Sequence, residues 1–109
     1  MADNEGHDLV VVIVNTGYAD EVMIAAREAG ARGGSIIHCR GTSNRAIEKK
    51  FGVYVTPEKE MVLIVVKTSI RDTILERVYQ ALGNDGKGKC VAFSLPVSNL
   101  IGINDGESK

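Results

Sequence analysis

Seven consecutive residues, Gly83-Asn84-Asp85-Gly86-Lys87-Gly88-Lys89, concentrate the chemical potential of this chain. Glycines let backbone N–H groups turn toward an anion, and the two lysines supply charge for it. The segment reads as a phosphate cradle. It nearly fits the P-loop pattern, but Cys90 stands where a magnesium-binding Ser or Thr is required. The connectivity is also reversed, since the segment leaves a helical pattern and enters a strand. Both departures argue against a P-loop nucleotide hydrolase, and the alternative reading is a plain helix-to-strand turn.

Other reactive side chains are scattered. His7 lies in a polar lead-in, and His38 neighbours Cys39 on a strand, so their side chains point to opposite faces and do not share a metal. Asp85 reads as a turn residue, Asp72 as a helix cap and Glu48 as a solvated loop charge. Cys39 and Cys90 lie far apart without a Cys-x-x-Cys spacing and read as two small buried hydrophobes, with a disulfide or redox switch as the alternative. No carboxylate pair, nucleophile elbow or ligand cluster stands out. The expectation is no catalytic residue, no metal site and no required cofactor.

These groups must be positioned by one small domain. At 109 residues the chain builds an ordinary core with little surplus, so a face shared between subunits adds useful burial. Its 13 basic and 14 acidic residues leave a formal charge of −1, which gives no long-range attraction to nucleic acid or an acidic membrane. The longest apolar runs, Leu9 to Val14 and Met61 to Val66, are far too short to cross a bilayer. With no charged-then-apolar leader ahead of them, the reading is a cytoplasmic protein.

Those two runs are rich in β-branched residues and read as central strands. Each is followed by a helical pattern. Val22, Ala25, Ala26 and Ala29 share a face of a helix over about 20–29, with Asp20 and Glu21 at its start and Gly30 at its exit. Ser69 and Asp72 suggest a capping box opening a second helix over about 70–82, whose stripe is Ile74, Val78, Ala81 and Leu82. Strands over 35–40 and 90–95 follow the helices, and the short segment 99–103, set off by Pro96, is a candidate edge strand. The order βαββαβ predicts an α+β, ferredoxin-like sandwich, an antiparallel sheet with two helices on one face. Residues 1–8 form a loose lead-in, 9–103 the domain and 104–109 a loose tail. The stretch 41–59 is long, polar and basic for a connection inside so compact a domain, which marks it as a functional arm.

With these landmarks in order, the chain resembles the PII signal-transduction family over 9–107. Gly30-Ala31-Arg32-Gly33-Gly34-Ser35, running on to Arg40-Gly41, resembles the family's turn and second strand. Ile64-Val65-Val66 with Ile70-Arg71-Asp72-Thr73 resembles its third strand and second helix start, and Gly86-Lys87-Gly88-Lys89-Cys90-Val91-Ala92-Phe93 its B-loop and fourth strand. The resemblance implies a homotrimer with adenine nucleotide (ATP, ADP or AMP) as effector in clefts between subunits. Ser35 and Val65 would contact adenine, Gly41 would let the chain pass the ligand, and Gly86, Lys87, Gly88 and Lys89 would line the phosphates. It makes 41–59 the T-loop, with Arg45, Lys49, Lys50 and Tyr54 available to a partner, a membrane transporter or regulatory protein.

Three departures mark this chain. Lys87 replaces the usual Asp of the B-loop, Gly102 and Asn104 stand where the family carries two phosphate-binding arginines, and the T-loop is several residues shorter. A second reading of the same architecture is a CutA-like trimeric divalent-metal-binding protein. The B-loop and the scarcity of ligands speak against it. An acylphosphatase-like or nucleoside diphosphate kinase-like enzyme lacks, respectively, an arginine in the Asn15-Thr16-Gly17-Tyr18 turn and a catalytic histidine in a larger fold.

Overall fold

The computed structural model describes residues 6–41, 48–50, 53–55, 58–83 and 90–102, the two three-residue segments as backbone only. Strand β1 (His7–Asn15) is followed by helix α1 (Ala19–Glu28) and strand β2 (Ser35–Arg40). Two short strands, β3 (Glu48–Lys50) and β4 (Val53–Val55), precede β5 (Glu58–Lys67), helix α2 (Thr68–Val78) and β6 (Val91–Val97). Strands β2, β5, β1 and β6 form one antiparallel sheet in that order. The apolar runs of β1 and β5 do occupy its centre. Both helices pack on one face, completing the ferredoxin-like βαββαβ sandwich.

The core follows from strand alternation. Val10, Val12 and Val14 of β1 and Val62, Ile64 and Val66 of β5 point to the helical face. There they meet Val22, Met23, Ala25 and Ala26 of α1 and Ile74 and Val78 of α2. Small residues on α1 let it sit close to the sheet. Its exit is a Schellman turn, in which Gly30 N–H reaches Arg27 O, Ala31 N–H reaches Ala26 O, and Gly30 takes φ +112°. Helix α2 ends in a π-helical turn, Tyr79–Gly83, which keeps Leu82 in the core and leads into the 84–89 segment.

Several sequence expectations change. The strand β1 starts at His7, so His7 and Asp8 belong to the sheet rather than to a lead-in; both are buried. Asp8 tolerates that position because it accepts hydrogen bonds from the Thr68 hydroxyl and from Arg71 Nη1, the latter at 3.2 Å. The Thr68 hydrogen bond, with Arg71 behind it, holds the Asp8 carboxyl below the usual range against the opposing effect of desolvation. A carboxylate depressed on folding stabilises the native state fully above its ordinary range, and that contribution fades as pH falls through the depressed value.

The Ser69–Asp72 capping box does not form: α2 begins at Thr68 with no side-chain cap, and Asp72 instead accepts from Arg71 Nε at 3.0 Å. Asp8, reaching from the neighbouring strand, secures this turn in its place. Pro96 lies inside β6, which is an edge strand where a missing N–H is tolerated. The candidate strand at 99–103 is not formed within the chain by residues 99–102. Within the arm, β3 and β4 pair as a small antiparallel hairpin, a regularity that the polar sequence hid.

Candidate functional site

The opposite face of the sheet carries no helix among the described residues. Its rows are Val65, Leu9 and Leu95, then Ser35, Leu63, Val11 and Phe93, then Ile37, Met61, Ile13 and Val91. Phe93, Leu95, Val91 and Ile37 are exposed there, at 42%, 49%, 57% and 43%. Monomeric proteins rarely leave so continuous an apolar patch open to water. Cys39 lies on this face at the arm end of β2 and Cys90 packs against the core from the helical side just ahead of β6, with β5 and β1 between those strands. Both are free thiols, so the disulfide alternative does not form, and both are partly rather than fully buried. Burial pushes the Cys90 thiol pKa up.

Two of the residues expected to hold a ligand come together. Ser35 pairs with Leu63, and Val65 lies two positions further along the same strand. β2 starts at Ser35, so the edge of β5 beyond Leu63 has no strand beside it among the described residues. Alternate backbone N–H and C=O groups along such an edge are open to a ligand. A cavity of about 200 Å³ lies there, lined by Gly30, Ala31, Arg32, Val65, Val66, Lys67 and Ile70. Gly34 makes the approach possible: a Cβ on it would stand 2.9 Å from the Leu63 carbonyl oxygen and 3.1 Å from Met23 Sδ. Backbone cannot retreat from such a contact, so the chain needs glycine there to bring β2 against β5.

Gly41 is elsewhere, at the far end of β2, about 20 Å from Ser35 by strand rise. What crowds it is Lys59, whose Cε would lie 2.8 Å from a Cβ at that position. Lys59 Nζ donates to Asn15 Oδ1 at 2.9 Å, so its side chain ties together the strand ends at the base of the arm. Beside it, Glu60 Oε1 accepts from Gly17 N (3.0 Å) and Ala19 N (3.2 Å), and Oε2 lies 3.9 Å from His38 Nδ1. A carboxylate from β5 thus caps α1, a device ordinarily worth about 0.5–2 kcal/mol. Lys59 and Glu60 escaped the sequence reading; their only signal was two charges directly before an apolar strand run.

The remaining expected residues divide by position. Gly86, Lys87, Gly88 and Lys89 lie outside the described residues, as does Arg45. Lys49 and Lys50 lie on β3 and Tyr54 on β4, where Lys49 pairs in register with Tyr54 and Lys50 with Val53. The anchors of the 84–89 segment are Gly83 and Cys90. Cys90 precedes Val91, which aligns with Ile13 near the arm end of the sheet.

The model of the nitrogen regulatory protein P-II family matches residues 7–107, nearly the whole chain and the whole of this fold. The chain belongs to the P-II family. Among solved structures, GlnK of Bacillus subtilis superposes with a TM-score of 0.70 at 17% identity, covering 94% of each chain. PII of Arabidopsis thaliana, solved with citrate bound, gives 0.65 at 25% identity, covering 95% of this chain and 86% of that one. A Bacillus cereus protein related to NIF3 gives 0.68 at 19% identity over 90% of this chain. This PII chain spans only 27% of that larger protein, so the likeness there is to one part of it and speaks to fold alone. No curated protein matches the chain by sequence. PII membership makes the fold that of a signalling protein and favours the PII reading over the CutA-like one. No helix among the described residues is long and apolar enough to cross a membrane.

Proposed function

We propose that this PII-family chain is a non-enzymatic, trimeric cytoplasmic regulator. It binds an adenine nucleotide in clefts between subunits and acts through the 41–59 arm on a transporter or a protein of nitrogen metabolism. The observation that carries the reading is the separation of the two half-sites within one chain. Val65 aligns with Leu9, whereas the Cys90 anchor of the 84–89 segment lies beyond the Ile13–Val91 pair. They are offset by about 17 Å along the strands and about 10 Å across them. A neighbour docked through the open apolar face supplies the complementary half, with Ser35 and Val65 receiving the base and Gly86, Lys87, Gly88 and Lys89 receiving the phosphates.

The arm is the output in this reading. Both ends of 41–59 meet the sheet where β2 pairs with β5, Arg40 opposite Glu58 and Cys39 opposite Lys59, and the Lys59 side chain, bonded to Asn15, packs where Gly41 leaves room for it. A ligand or neighbour that shifts these strand ends therefore biases the arm's conformation. Trypsin is expected to cut first at Arg45, Lys49 or Lys50, and ADP or ATP is expected to change that cleavage rate several-fold. Equal cleavage with and without nucleotide, followed by mass spectrometry of early fragments, would remove the arm as the switch.

A further inference from the structure

The cavity beside Val65 has a chemical bias that a neutral base does not use. Five of its seven lining residues, Gly30, Ala31, Val65, Val66 and Ile70, have no polar side-chain atom, and the other two are Arg32 and Lys67. Both are cations that only donate hydrogen bonds. Among the described residues no carboxylate lines the cavity, and neither cation has an ion pair or side-chain hydrogen bond. Arg71, just beyond, shows the alternative: it is committed to Asp8 and Asp72. Those two carboxylates are therefore already engaged by a nearer cation. The first turn of α2, which opens directly after Lys67, carries no acidic residue either. Along the connection from α1, Arg32, Gly33 and Gly34 donate no backbone hydrogen bond to described backbone.

We propose that this cavity is an anion subsite, in which Arg32 and Lys67 take a phosphate that the effector carries apart from its 5′-phosphate chain. The inference rests on the adenine-nucleotide reading above. Arg32 and Lys67 approach from two different elements, the α1–β2 connection and the end of β5, so a dianion between them engages both at once. A guanidinium fork and an ammonium are well matched to phosphate oxygens, and the apolar wall of Val65, Val66 and Ile70 packs against the nucleoside body. The effector class is a nucleotide with a second phosphate on the ribose or beyond it, rather than a simple mononucleotide.

Calorimetric titration with AMP, adenosine 2′,5′-bisphosphate and adenosine 3′,5′-bisphosphate tests this on the full-length protein. At least one bisphosphate is expected to bind roughly tenfold more tightly than AMP. In the Arg32→Gln, Lys67→Gln double variant the ratio of the two affinities should collapse to about one. Among the described residues neither side chain has a partner, so the variant should keep its melting curve. Equal affinities for AMP and both bisphosphates in the parent overturn the subsite while leaving nucleotide binding intact, as does a gain that survives in the double variant. Absence of binding by all three overturns this inference, and the adenine reading falls with it only if ADP and ATP also fail to bind.

Discussion

Replacing Phe93 by aspartate is expected to convert the proposed trimer into folded monomers. Phe93 stands in the row Leu63, Val11, Phe93 on the sheet face that no helix covers, with Leu95 and Val91 two positions away on either side. In the isolated chain its side chain is already 42% exposed, so a carboxylate there meets water and costs the monomer little. In the proposed interface the same carboxylate would find no partner among Leu9, Ile13, Met61 and Leu63, and an unpaired buried charge costs on the order of several kcal/mol at each repeat of such an interface. The change acts on every copy at once. Light scattering at micromolar concentration reads the result: a trimer for the parent, a monomer with unchanged far-ultraviolet circular dichroism for the variant. A parent that is monomeric, or a variant that stays trimeric, removes the open face as the assembly surface.

Lys89→Ala is expected to abolish detectable nucleotide binding while leaving the assembly intact. An ammonium on a phosphate makes a charge-assisted hydrogen bond, and truncating one partner of such a bond typically costs about 2–5 kcal/mol, at least about tenfold in affinity. Compensation is limited, because Gly102 and Asn104 occupy the positions where the resemblance leads one to expect arginines. Lys87 is the nearest substitute in sequence, so Lys87→Ala should weaken binding less. Gly88→Val should also fail, for a separate reason: a β-branched side chain obstructs the backbone's approach to the anion. Fluorescence titration with a labelled nucleotide reads all three. Parent-like affinity in Lys89→Ala would misplace the cradle.

The sequence made the fold legible because its apolar content is concentrated where period matters. Unbroken, β-branched runs at 9–14 and 61–66 read as central strands, and they proved central. The one-sided helix patterns told which face each helix covers. Legibility failed where a long-range polar contact replaced a local one. Ser69 and Asp72 have capping-box spacing, yet the α2 start is held by Asp8, 60 positions from Thr68. No local window reveals a partner that distant. The same holds for Glu60, which caps α1 from 41 positions beyond Ala19.

The candidate site was legible by half. Ser35 and Val65 entered through the family resemblance, and the sheet register brings them to one edge. Gly41 proved to be a close-approach position for Lys59, at a distance from that edge. Arg32 and Lys67 were not among the expected site residues, since nothing in their neighbours' spacing shows that the α1–β2 connection and the end of β5 line one cavity. Hydrophobic period reports which residues are buried. It is silent on which cations line the same cavity.

The central claim is that subunits assemble through the open sheet face to create nucleotide clefts. Its most direct test is isothermal titration of ADP and ATP into the purified protein at a concentration where light scattering has established the trimer. The account predicts saturable binding of one nucleotide per chain, three per trimer, by at least one of the two. A confirmed trimer that takes up neither nucleotide would contradict it.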